Sequence, residues 1–322
     1  MNRTIFLAPT LLVSLVTGCF DPGSAYHDDI LPTKEKLAIN LPTDDASKAA
    51  DSGSEFAQYY VTTRTVTEGV NGIIEAILGT VGYVTTLTPS WTDDTRTEAM
   101  WGPYSDSGLD PVETGLWVRM EDDGSYTWAL FNVPQGGSVE TDAVAIVAGI
   151  VDEGSTRDDA SGQFAVDFTT ASGMDPGVGL TGEWAVQYAY DVDGVGAVVA
   201  ANDYGLVNGA ERVDAAYAYN EDYAGAGEMD LAWLDDIDGQ GSNELATMRS
   251  RWEADGQGRG DVQVAGGSLG GLVVSASECW GTSFSRVYYA DDAGLQPTEG
   301  EEGDCAFTPA EYATEGSFTI VE

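Results

Sequence analysis

The chain has 322 residues, of which 54 are acidic and 13 basic, giving a formal net charge of -41. A field of that sign repels nucleic acid and anionic lipid headgroups and excludes both as direct partners, while 43% hydrophobic residues exclude a chain that is disordered throughout. The single histidine, His27, and all three lysines, Lys34, Lys36 and Lys48, precede residue 52, so the body beyond them can build no histidine-bearing metal site, no histidine-activated nucleophile and no lysine Schiff base.

Arg3, an apolar run from Ile5 to Val16 and small residues before Cys19 read as a signal peptide over residues 1–18. The run is too short for a membrane span and no stop-transfer pattern follows. Leu15-Val16-Thr17-Gly18-Cys19 resembles the lipobox of bacterial lipoproteins. That resemblance implies acylation of the Cys19 thiol, a lipid bilayer as partner, and a place in the cell envelope, with the outer membrane preferred because Phe20 and Asp21 do not form a plain inner-membrane retention signal.

Residues 19–51 hold Pro22, Pro32 and Pro42 among Asp, Ser, Thr and Lys without a sustained period, and are expected to form a disordered tether reaching about 30 Å. A single domain is expected over residues 52–322. It opens on a capping box, Ser52-Gly53-Ser54-Glu55. Phe56, Tyr59, Tyr60, Thr63, Val66, Val70, Ile73, Ile74, Ile77, Leu78, Val81 and Val84 then recur at threes and fours. The stripe predicts an amphipathic helix or helix pair, interrupted near Gly79 or Gly82 and stopped before Pro89.

Beyond Pro89 the period becomes two. Short segments run from Ala99-Met100-Trp101 through Leu116–Glu121, Tyr126–Val133, Ala143–Val151, Gln163–Thr169 and Trp184–Tyr190. They continue through Val195–Ala201, Val213–Tyr219, Met229–Leu234, Leu245–Trp252, Val262–Ala265 and Leu272–Ser277 to Phe284–Tyr289. Asp-Gly turns at Asp123, Asp193, Asp238 and Asp255 join several of them as hairpins. The fold class expected is mainly β with an N-terminal helix: a curled antiparallel meander, half-barrel or open barrel, packed on the helix. The looser stretch from Gly173 to Gly182 is the best place for a boundary within it.

No cofactor or metal motif is expected. Gly266-Gly267-Ser268-Leu269-Gly270 spells the nucleophile elbow of α/β-hydrolases but lies between two antiparallel strands without a histidine, and is read as a turn. Asp191-Val192-Asp193-Gly194 and Asp236-Ile237-Asp238-Gly239 hint at calcium. Neither combines a glycine at the sixth position with a glutamate at the twelfth, so they too are read as turns. Arg259-Gly260-Asp261 matches an integrin-type tripeptide in what is read as a turn.

With Cys19 lipidated, Cys279 and Cys305 remain to pair as a disulfide in an oxidising compartment. Arg119, Arg249, Arg251 and Arg286 sit within strands, and Arg249 and Arg251 share the face opposite Met248 and Trp252. Their default role is pairing with carboxylates. The candidate ligand-binding role for Arg249, Arg251 and Arg286 is a clamp on a ligand carboxylate or phosphate.

Ala246-Thr247-Met248-Arg249-Ser250-Arg251-Trp252, Ser277-Glu278-Cys279-Trp280, Phe284-Ser285-Arg286-Val287-Tyr288-Tyr289 and the Thr65–Gly72 stretch resemble a group of acidic bacterial lipoproteins that carries no known activity. The resemblance supports the anchor and the disulfide only. The helix-then-meander order is similar in architecture to the half-barrels of periplasmic lipoprotein carriers, which implies an apolar small molecule held between sheet and helix. The function expected is therefore a non-enzymatic binding or structural lipoprotein. The alternative is a carboxylate-dependent glycan hydrolase of the cell envelope.

Overall fold

A computed structural model describes residues 30–42, 56–105, 107–209 and 212–318. The signal peptide, Cys19, His27, Lys48 and the capping box at Ser52–Glu55 lie outside the described residues. Among the described residues the α-helical segments are α1 (Lys34–Leu37), α2 (Gln58–Thr85), α3 (Val139–Asp142) and α4 (Phe168–Met174). The strands are β1 (Trp91–Thr92), β2 (Glu98–Tyr104), β3 (Val112–Met120), β4 (Tyr126–Pro134), β5 (Val144–Val151), β6 (Ala160–Asp167) and β7 (Leu180–Tyr190). They continue as β8 (Gly194–Leu206), β9 (Val213–Asp222), β10 (Gly227–Asp235), β11 (Glu244–Trp252), β12 (Gly258–Gly266), β13 (Val273–Trp280) and β14 (Arg286–Asp291).

All 14 strands form one sheet in which spatial order equals sequence order, each pair antiparallel. The sheet does not close; it curls around α2, as the two-residue period requires of a ribbon with one apolar face. Every segment expected from alternation overlaps a strand, and β1, only two residues long, is the addition. The open edge at β14 is covered by backbone bridges from Phe56 to Ser285 and from Tyr289 to Glu299, which limits edge-to-edge association.

Helix α2 is one uninterrupted rod of 28 residues, so the expected break near Gly79 or Gly82 does not occur. Its buried residues, Tyr60, Thr63, Thr67, Val70, Ile74, Ile77, Leu78, Val81 and Val84, keep the spacing of one helical face. The face is not purely apolar. Thr63 Oγ1 lies 2.6 Å from Ser250 Oγ on β11 with both side chains fully buried, so two hydroxyls satisfy each other across the helix–sheet contact. At the start of α2 the N-cap is Ala57, whose side chain caps nothing. The Tyr59 amide instead donates to Glu278 Oε2, a fully buried carboxylate on β13. The sheet thus supplies the negative charge that an N-terminal dipole favours. Among the described residues no helix is long and apolar enough to cross a membrane.

Aromatic side chains on the inner face lie over glycines directly opposite them on the next strand. The register pairs Trp128 with Gly149, Tyr188 with Gly162, Trp252 with Gly227 and Trp280 with Gly258. A Cβ built on Gly258 would stand 2.3 Å from the Trp280 ring. A large ring can lie flat across the sheet only if its neighbour has no side chain. Gly258→Ala is therefore expected to cost about 1–3 kcal/mol by overpacking, read as a lowered urea midpoint with altered near-ultraviolet circular dichroism.

The expected tether is corrected over residues 30–42. Leu31, Leu37, Ile39 and Leu41 are buried in the main core. Asn71 on α2 fixes the segment by accepting from the Ile39 amide and donating to the Ile39 carbonyl, and Tyr219 donates its hydroxyl to the Leu37 carbonyl. Lys34 pairs with Glu75, and Lys36 pairs with Asp158 at 3.1 Å beneath the rings of Tyr190 and Tyr223. The folded body thus begins earlier than residue 52 and does contain lysine. Its apolar residues bury more surface against the sheet than the prolines and charges around them suggest. The stretch from Gly173 to Gly182 is the α4-to-β7 connection within the same sheet, with Ser172 and Leu180 hydrogen-bonded across it.

Candidate functional site

The space expected to hold an apolar molecule, between α2 and the sheet, is occupied by side chains. Tyr60 alone lies 4.4 Å from Phe284 and 5.8 Å from Trp280, centroid to centroid. Ile74, Leu78 and Val81 are buried in the same cluster as Trp128, Tyr188 and Met248. An open cavity of about 860 Å³ lies instead on the outer face, at the end of the sheet where the β5–β6, β7–β8, β9–β10 and β11–β12 turns stand side by side.

Cross-strand register builds the floor of this groove. One row runs Ser161, Ala189, Gly196, Asn220, Glu228, Arg251 across six adjacent strands. The small residues in the middle of the row leave the backbone low, while the turns and a C-terminal segment rise on either side. Eight residues around the cavity are Asp or Glu and one, Arg251, is basic.

Arg251 belongs to the most heavily paired part of the molecule. It stands directly opposite Arg259, and in the next row Arg249 stands opposite Asp261 on one side and Asp230 on the other. Two facing arginines would repel each other. Asp261, fully buried, answers both: Arg259 Nε donates to it at 2.8 Å, Arg251 at 3.3 Å, Ser277 Oγ at 2.6 Å and the Glu311 amide at 3.1 Å. Arg249 grips Asp230 through two bonds of 2.8 and 2.6 Å, the bidentate geometry that suits guanidinium. The hydrogen bond to Asp230, more than burial opposes it, raises the Arg249 pKa above its ordinary value.

The same arginines strap the C-terminal segment across the outer face. Arg259 donates to Glu302 at 2.9 Å and to the Phe307 carbonyl at 3.0 Å. Arg251 reaches the Pro309 carbonyl at 3.3 Å and Glu311 at 2.9 Å, and Arg249 reaches Ser317 Oγ at 3.0 Å. The Cys279–Cys305 disulfide pins the strap at its near end, with the Cα atoms 5.6 Å apart. Arg249 and Arg251, read from the sequence as clamps for a ligand, here clamp carboxylates of the chain itself. Arg286 lies apart from them, on Glu278, with Gln296 at 3.1 Å and Glu299 at 3.6 Å.

Arg259-Gly260-Asp261 is corrected from turn to strand. It lies in β12 with Arg259 1% exposed and Asp261 0% exposed, which removes the tripeptide from any adhesive surface. Alternation past the Asp255-Gly256 turn was the available signal, since it puts Arg259 and Asp261 on one face. A smaller cavity of about 300 Å³ runs beneath the strap between Arg249, Asp230 and Ser317, and it shares Asn220 and Glu228 with the groove.

Among the described residues, Asp236, Asp238 and Glu244 form a group able to hold a metal ion, with carboxylate oxygens within 4.8 Å of one another. Glu244, fully buried, accepts from the Ile237 amide at 3.0 Å and the Ser268 amide at 2.8 Å, and Ser268 Oγ donates to Asp238. These bonds knit the β10–β11 and β12–β13 turns together. They also give Ser268 of the Gly-x-Ser-x-Gly spelling a role in a turn, as the sequence indicates.

Glu221, one of the eight acids around the cavity, turns its carboxylate inward to accept from the Asn40 amide at 2.7 Å. Burial, only partly offset by that hydrogen bond, raises its pKa above the ordinary carboxylate value. A carboxyl whose folded pKa is raised binds its proton better in the folded state, so its contribution favours folding below the unfolded pKa and is lost as pH rises through the folded one. Glu221→Gln keeps an acceptor for Asn40 and removes the buried charge. It is expected to raise Tm at pH 7, with the gain vanishing at about pH 4, as scanning calorimetry at the two pH values would show.

Compared with family models, with curated proteins and with solved structures, the chain matches none of them.

Proposed function

We propose that this chain is a lipid-anchored, non-enzymatic binding protein of the cell envelope, attached through Cys19 to the outer membrane and presenting the outer face of its sheet to a ligand. The anchor rests on the order of residues from Leu15 to Cys19. The Cys279–Cys305 pairing suits an exported, oxidised protein. The observation that carries the binding reading is the groove of about 860 Å³ on the face opposite α2, a volume in the range of ligand sites.

Hydrolysis of glycans is the weaker reading. It calls for a carboxylic acid of raised pKa facing the cleft beside a second carboxylate. Glu221, which burial does raise, faces the Asn40 amide inside the molecule instead.

The anchor is tested on the full chain expressed in a Gram-negative host and extracted from membranes in mild detergent. Mass spectrometry should show a mature N-terminus at Cys19 carrying diacylglycerol and an amide-linked acyl chain, and Cys19→Ser should leave the protein without either. A free thiol on Cys19, or a mature chain beginning at another residue, would refute the anchor.

A further inference from the structure

We propose that three arginines of the outer face, Arg249, Arg251 and Arg259, form a receptor for an acidic segment. The chain's own strap, residues 299–318, fills it here, and before the Cys279–Cys305 bond closes it takes equally the strap of a second copy. This goes beyond the binding reading above and stands without it.

The receptor is built by the sheet alone. Arg259 and Arg251 are held on Asp261, and Arg249 is held on Asp230, all of them strand residues. Three guanidinium groups against two carboxylates leave one positive charge in excess, on a chain whose net charge is -41. Because the buried aspartates fix these side chains before a strap arrives, little ordering is lost on docking.

The strap carries the complementary charge. It contains Glu299, Glu301, Glu302, Asp304, Glu311 and Glu315 and no lysine or arginine. Glu302 reaches Arg259, Glu311 reaches Arg251 and Arg249, and the Phe307 and Pro309 carbonyls fill further guanidinium donors. Carboxylates flanking backbone carbonyls on one segment are therefore what the arginines recognise.

The strap is also loosely rooted. Among its described residues only Ala313 is buried, so it brings no core of its own. Glu302 and Glu311 are half exposed, and ion pairs of that kind hold weakly. The disulfide is left as the firm tie. With the Tyr289–Glu299 bridge released, residues 292–304 extended span about 40 Å, enough to carry the strap to a neighbouring sheet. A second copy offers every receptor contact by identity, so concentration decides between closing within one chain and across two. The bond closes alike in both: the Cys279 and Cys305 thiols pass two hydrogens to a disulfide oxidant, which leaves as two thiols.

The test uses the full chain carrying Cys19→Ser, in which Cys279 and Cys305 are the two remaining thiols. One variant adds Cys279→Ser and another Cys305→Ser, so neither can close on itself. Mixed with oxidised glutathione, the two should give a covalent dimer on non-reducing gels, at least tenfold more than either gives alone, with Cys279 joined to Cys305 in its peptide map. Adding Glu302→Gln and Glu311→Gln to the Cys279→Ser chain, which donates the strap, should slow dimer formation at least fivefold. Glu140→Gln and Asp235→Asn in the same chain remove equal charge elsewhere and should change the rate less than twofold. A second measurement needs neither cysteine variant. A labelled peptide of residues 299–314 with Cys305→Ser should bind the chain reduced with dithiothreitol, by fluorescence anisotropy, and leave the oxidised chain unbound. Absence of the mixed dimer, equal yields from each variant alone, indifference to Glu302 and Glu311, or a peptide that ignores the reduced chain would each overturn the proposal.

Discussion

Arg259→Met is expected to lower the unfolding free energy by about 3 kcal/mol, near the low end of what breaking a buried ion pair costs. The side chain is 1% exposed and its partner Asp261 is 0% exposed, so the carboxylate it leaves behind cannot turn to water. Arg251, Ser277 and the Glu311 amide still donate to Asp261, and this keeps the loss from being larger. The double variant Arg259→Met with Asp261→Leu should recover part of it, because the buried charge is then gone and apolar groups fill its place. Urea unfolding of the two single variants and the double variant gives the coupling directly. Additive losses with no recovery would show that the pair does not act as a unit.

The second large effect is expected from opening the disulfide. Cys279 and Cys305 are 26 residues apart, and in the chain-entropy account a loop of that size contributes about 3.5 kcal/mol. Reduction should be felt first in the strap, residues 299–318, which rests on the sheet through arginines. Hydrogen exchange after dithiothreitol should show faster exchange there while β2–β12 keep their protection. Uniform loss of protection across the sheet would mean that the strap and the sheet unfold together.

The fold was legible wherever one period held over a long stretch. The three-and-four spacing from Tyr60 to Val84 gave α2, and alternation gave strands such as β6 and β7, which bury every second residue. Strands β3 and β4 bury both faces through a second cluster of Trp117, Ala129, Phe131 and Val133, and were marked by their apolar runs between turns. A two-residue strand such as β1 leaves no period to read. Residues 30–42 were hidden by Lys34, Lys36 and the prolines, although Leu37, Ile39 and Leu41 do alternate. The shared face of Arg249 and Arg251 followed from Met248 and Trp252. The groove did not, because its floor is a row of residues from six strands, and the neighbours in such a row depend on register. Nor could the sequence show that the carboxylates held by Arg249 and Arg251 include Glu311, some sixty residues further along the chain.

Because spatial order equals sequence order throughout the sheet, each strand as it leaves the ribosome or a translocation channel finds its partner already made just upstream. Pairing then proceeds by accretion, one hairpin at a time, with little entropy spent on closing loops. The longest ties in sequence come from helix α2, from the segment before it and from the C-terminal strap. The segment around Leu37 and helix α2 dock on strands made much later, and residues 299–318 fasten over β9 to β13 once those exist. Assembly of this kind ends with a latch, so a chain truncated before Cys305 should build most of its ribbon and still lack the clasp.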